Sequence, residues 1–161
     1  MLFRSRAAAY RATGNLERSL QDYDVLVRLN PKDVKAYERR ALVYWQLQHY
    51  DEAVEDFSRM IQLDQDALGF YRRGHVLLDM RRYDRAIRDF NQVINLKPNF
   101  APAFNLRGLV YAALGETQRC LQDFDQAVSI DRNFAEAYLN RGEIHQNAGN
   151  HQRAQIGRAH V

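Results

Sequence analysis

Apolar positions along the chain fall into two alternating stripes, each with the i, i+4, i+7 spacing that puts three side chains on one face of an α-helix. The first stripe reads Phe3, Ala7 and Tyr10, then Tyr37, Ala41 and Tyr44, then Phe70, Gly74 and Leu77, then Phe104, Gly108 and Tyr111, and last Tyr138, Gly142 and His145. Its middle position is small, where another helix must come close. The second stripe reads Ser19, Tyr23 and Leu26, then Ala53, Phe57 and Met60, then Ala86, Phe90 and Val93, then Cys120, Phe124 and Ala127. Each pair of stripes predicts a helical hairpin.

The hairpins repeat in register. Segments SLQDYDVLVRLNP, AVEDFSRMIQLDQ, AIRDFNQVINLKP and CLQDFDQAVSIDR align on Tyr23, Phe57, Phe90 and Phe124, which are 34, 33 and 34 residues apart, a period that marks a solenoid. The one-residue shortening falls near Asp66, in a turn. Gly14-Asn15, Gly115-Glu116 and Gly149-Asn150 stand between paired helices, where glycine tolerates the left-handed conformation that ends a helix; Gln48-His49 and Arg81-Arg82 fill the same turn less ideally. Asn30-Pro31 and Lys97-Pro98 close two units, because proline cannot continue the preceding helix. The units are read as 1–33, 34–66, 67–100, 101–134 and an incomplete fifth, 135–155.

An arginine precedes the small residue in every unit, at Arg6, Arg40, Arg73, Arg107 and Arg141, and is matched by Asp22, Asp56, Asp89 and Asp123. Two such fully occupied columns of opposite charge predict an ion-pair ladder within or between hairpins. The pattern breaks in the fifth unit, where Gly157 and Arg158 stand in place of the acidic residue and the aromatic. The last six residues, Ile156–Val161, read as a translation of a common sequencing-library adapter, so they are expected to be foreign to the repeat protein. With Met1 already inside a first helix, the chain is expected to be an internal piece of a longer array.

These columns, aromatic, small residue, tyrosine, alanine, aromatic and proline over 34 residues, resemble the tetratricopeptide repeat (TPR) family across nearly the whole chain. The resemblance implies an all-α fold, a right-handed superhelical solenoid of antiparallel helix hairpins, with the first helix of each hairpin lining a concave groove. It implies a protein or peptide partner and no cofactor. On that geometry the groove is expected to hold Glu38, Arg39, Leu42 and Trp45, then Tyr71, Arg72 and His75, then Asn105, Leu109 and Asn140. Its middle combines apolar and aromatic groups with arginine, the types enriched at binding hot spots. One TPR subtype grips the carboxyl tails of heat-shock chaperones through lysine, asparagine and arginine at set places. Here the second to fourth units offer Glu38 and Leu42, then Arg72, then Pro102 and Leu106, so that clamp is disfavoured.

Composition narrows the functional classes. A net charge of +3, from 23 basic and 20 acidic residues, is too small and too scattered to argue for a nucleic-acid surface. A pI near 9.1 and the period leave RNA-binding helical repeats as a weaker alternative, opposed by Glu38, Asp79, Glu136 and Glu143 in the projected groove. No apolar run approaches bilayer length, and the single cysteine leaves the compartment open, with cytoplasm as the default. There is no phosphate-binding loop, zinc-protease helix or nucleophile elbow, and the histidines do not cluster at metal-ligand spacing, so no catalytic residue is assigned. Cys120 shares its column with Ser19, Ala53 and Ala86 and is expected to pack as a small residue. The expected function is a non-catalytic interaction scaffold, with the recruiting region of a larger enzyme as its rival.

Overall fold

The computed structural model describes the backbone of residues 2–159 and the side chains of residues 2–149. Among these residues every regular element is an α-helix. They form two compact bodies, Met1–Leu96 and Lys97–Val161.

The first body holds three hairpins: α1 (Leu2–Ala12) with α2 (Leu16–Leu29), α3 (Val34–Gln46) with α4 (Tyr50–Leu63), and α5 (Ala67–Asp79) with α6 (Tyr83–Leu96). Side-chain caps begin several of these helices: Asn15 accepts from the Arg18 N–H and Asp33 from the Ala36 N–H, supplying acceptors for otherwise unpaired amides. The turns inside the hairpins use the left-handed conformation at one fixed position. Gly14 has φ +78°, and its counterparts Gln48 and Arg81 have φ +61° and +56°. Those two residues carry a Cβ into a region that disfavours it by about 1 kcal/mol.

The second body holds the hairpin α7 (Ala101–Ala113) and α8 (Thr117–Ile130), followed by α9 (Ala135–Ala159). Gly115 repeats the left-handed turn with φ +76°. The turn expected at Gly149-Asn150 is not formed, because α9 runs straight through it. The reason lies in the sequence: with Gly157 and Arg158 in the acidic and aromatic columns, a second helix would have nothing to pack against the first. The tail expected at Ile156–Val161 lies outside the residues whose side chains are described.

Each hairpin closes by laying the aromatic ring of its second helix on the small residue of its first. Tyr23, Phe57, Phe90 and Phe124 are all fully buried, as are Ala7 and Ala41. The approach is close in the fourth hairpin, where a Cβ on Gly108 would lie 2.7 Å from the Phe124 ring. No side chain fits there without displacing the ring. Cys120 packs in the same seam at 0% exposure, and its counterpart Ser19 donates its hydroxyl to the Ala7 carbonyl at 2.9 Å.

That close approach brings the arginine and aspartate columns into register, 16 residues apart. Arg6 binds Asp22, Arg40 binds Asp56, Arg73 binds Asp89 and Arg107 binds Asp123, each through Nε and Nη2 to both carboxylate oxygens at 2.6–2.8 Å. The same guanidiniums lie over the aromatic three residues earlier, 5.7 Å for Arg40 on Tyr37 and 5.6 Å for Arg107 on Phe104. Their third nitrogen reaches the preceding hairpin: Arg40 Nη1 donates to Asp24, Arg73 Nη1 to the Ser58 hydroxyl and Arg141 Nη1 to Asp125. Only arginine has the planar fork for two parallel bonds plus a lateral donor. Hydrogen bonding to Asp56 raises the Arg40 pKa further above its ordinary value, and Asp123 does the same for Arg107. The hydrogen bond from Arg6 lowers the Asp22 carboxyl below the usual range.

Two stability changes follow. Asp89→Ala strands the half-buried Arg73 charge and is expected to cost about 3 kcal/mol in urea denaturation, most of which returns when Arg73→Met and Asp89→Leu are combined. Gln48→Gly and Arg81→Gly are each expected to stabilise by about 1 kcal/mol, since glycine meets no Cβ penalty at positive φ; a lower urea midpoint for either would contradict the strain assigned to the turn.

Candidate functional site

In the first body, α3 carries Glu38, Arg39, Leu42 and Trp45, and α5 carries Tyr71, Arg72 and His75. A helix turns about 100° per residue, so 38, 42 and 45 share one face and 71 and 75 share another, with 39 and 72 one step around. Arg39 is exposed and the other six are partly buried.

Trp45 joins the two helices. Its indole N–H donates to Asp79 Oδ2 at 2.7 Å, and its ring meets His75 edge-on with centroids 4.7 Å apart. Tyr71 extends the aromatic group, its ring 6.3 Å from that of His75. Trp45 and Leu42 also pack on the core of Ala41, Ala53, Phe57, Met60 and Val76. Trp45 therefore serves the packing between hairpins while leaving part of its ring accessible. Arg72 is the one member with an unmet need: its Nε is buried with no hydrogen-bond partner among the described residues. Asp79, one residue past the counterpart of Trp45 in the next hairpin, supplies the acceptor.

In the second body, Asn105 departs from its expected role. It is 1% exposed, donates through Nδ2 to Glu136 at 3.3 Å and accepts through Oδ1 from Asn140 Nδ2 at 2.9 Å. Its amide is spent holding α9 against α7 and is not presented to a partner. The cause is steric: α9 lies close enough over α7 to cover position 105, and a buried amide must then be paired. Asn140 and Leu109 remain partly exposed.

No His, Cys, Asp and Glu cluster able to hold a metal occurs among the described residues, and no described helix is long and apolar enough to cross a membrane. Burial raises the Cys120 thiol to about 11, so at neutral pH it is protonated as well as enclosed.

Comparison with known proteins identifies the repeat. Tetratricopeptide repeat family models match residues 5–67 and 67–100, and a TPR repeat model matches residues 108–149. The chain belongs to the tetratricopeptide repeat family. Sperm-associated antigen 1 of Mus musculus is 36% identical over 64 residues, a stretch that covers 40% of this chain and 7% of that protein. The chain thus spans a small part of the length of the curated relatives it matches. Among solved structures, MamA from Desulfovibrio magneticus RS-1 superposes with a TM-score of 0.83 at 22% identity, covering 96% of this chain and 88% of that one. YrrB, described as a TPR protein with an unusual peptide-binding site, gives 0.72 at 24% identity over 92% and 77%. At these identities the likeness shows the fold, all-α and TPR-like, and not a function.

The TPR packing makes one chemical prediction. Native Cys120 should resist iodoacetamide at pH 8 and react at the rate of a free thiol only in denaturant; rapid labelling of the folded protein would mean that α8 opens locally.

Proposed function

We infer that this TPR array is a non-catalytic scaffold that binds a peptide or a partner surface along the first helices of its second and third hairpins. The observation that carries the reading is the Trp45, His75 and Tyr71 aromatic group beside Arg72. The aromatics offer partly exposed, rigid faces with little rotamer freedom left to lose, since Trp45 is already held by Asp79. Arg72 is partly exposed and adds a cation beside them. Glu38, Arg39 and Leu42 extend the surface along α3. That YrrB has a peptide-binding site on the same fold supports a peptide as one form of ligand.

Capture from a cell extract of the source organism tests the reading. Trp45→Ala combined with Arg72→Ala is expected to lower capture of bound proteins at least tenfold, with helical content by circular dichroism retained. Because Trp45 also packs between hairpins, Arg72→Ala with Arg39→Ala is measured alongside. Undiminished capture by both pairs would remove the groove assignment.

A further inference from the structure

The exposed stripe of the second helices changes sign from one hairpin to the next. At repeat-equivalent positions it holds Glu52 and Glu55 on α4 but Arg85 and Arg88 on α6, and all four residues are exposed. A spacing of three residues puts each pair on one face of its helix. Asp51 extends the acidic stripe, and Arg81 and Arg82, in the turn before α6, extend the basic one. In the first and fourth hairpins the arginine of this column is engaged locally: Arg18 lies over the Tyr10 ring at 5.7 Å, and Arg119 binds Glu116 at 2.8 Å.

The stripes of the second and third hairpins have no such partners. Glu52, Glu55, Arg85 and Arg88 form no ion pair among the described residues. The nearest opposite charges along each helix are engaged elsewhere: Arg59, four residues after Glu55, donates to Gln62 at 3.0 Å, and Asp89, four after Arg85, is held by Arg73. The two stripes belong to neighbouring helices, because Arg73 on α5 binds Asp89 of α6 through Nε and Nη2 and reaches Ser58 of α4 through Nη1. A negative and a positive face thus adjoin in one body without neutralising each other.

We propose that this face is the interface of a symmetric dimer, with a second copy of this chain as its occupant. α4 and α6 hold equivalent places in successive hairpins and run in the same direction. A two-fold axis parallel to both and passing between them sets α4 of one copy against α6 of the other, twice over. Glu52 then meets Arg85 of the second copy, and Glu55 meets Arg88 of the second copy. Other occupants satisfy half of the face. A polyanion such as a nucleic acid or an anionic membrane, laid on the arginines, runs onto Glu52 and Glu55, and a basic partner meets the reverse conflict. The chain itself carries both signs at the matching spacing. Each pair is solvent-exposed and contributes little, so the dimer is weak and sensitive to salt. The surface lies on second helices, apart from the α3 and α5 side chains assigned to a partner, and goes beyond that reading without depending on it.

Sedimentation equilibrium of the purified chain tests the dimer, at low and high salt. A reversible monomer–dimer equilibrium is expected, with dimer dominant near about 100 µM, monomer near about 1 µM, and dissociation at least tenfold stronger in high salt. Glu52→Arg with Glu55→Arg makes both stripes basic, and Arg85→Glu with Arg88→Glu makes both acidic; arginine and glutamate are both good helix formers, so each variant should keep its helical content by circular dichroism. Each variant alone is expected to stay monomeric, and an equimolar mixture of the two to form a heterodimer at least tenfold tighter than the native dimer. Arg28→Glu with Lys32→Glu, a control of the same charge change on another part of the body, should dimerise as the native chain does. A native chain that stays monomeric at every concentration, as pairing of the two stripes within one copy would give, overturns the proposal. So does a dimer that persists in both variants, a mixture that remains monomeric, equal loss in the control, or an open-ended assembly in place of a dimer. Because dimerisation is read without any partner protein, its failure is separate from failure of the capture experiment on Trp45 and Arg72.

Discussion

Everything in a hairpin depends on how closely its second helix can approach its first. The distance is set where an aromatic ring lies on a residue with little or no side chain: Tyr23 on Ala7, Phe57 on Ala41, Phe90 on Gly74 and Phe124 on Gly108. At that separation an arginine one residue before the small position can reach, with both forks, an aspartate one residue before the ring. A wider hairpin would leave the buried carboxylate short of its cation, and an unpaired buried charge costs more than the seam could offset. The apolar contact thus comes first in the physical order and makes the ionic one possible.

Much of this arrangement was legible in the residues, because a helical period reports which face of each element is covered. Tyr23, Phe57, Phe90 and Phe124 are buried where the register predicts, and the turn column requires positive φ even at Gln48 and Arg81, where the residue type argues against it. The 16-residue offset between arginine and aspartate columns likewise carried its own prediction of pairing. Repetition strengthens each of these inferences, since the same answer is needed in every unit.

Periodicity was less informative about side chains at the margin between core and groove. Trp45 and Asn105 lie on first helices, yet Trp45 is bound by Asp79 and Asn105 is covered and paired by Glu136 and Asn140. What decides their exposure is the neighbour one hairpin away, whose distance no local spacing records. The straight course of α9 through Gly149 is a related case: glycine permits a turn, but only a packing partner beyond it compels one.

The lateral nitrogen of the ladder arginines gives the stack a direction. Arg40 draws on Asp24 and Arg73 on Ser58, each time from the hairpin before it, so the debt runs one way along the chain. Detaching a later hairpin leaves its predecessor with a surface carboxylate or hydroxyl that water can solvate readily. Detaching an earlier one leaves its successor with a partly buried cation that has lost a bond. Fraying should therefore be easier from the later side of each junction, and insertion or deletion of whole repeats should be better tolerated there, so that the array is mechanically polar although its repeats look alike.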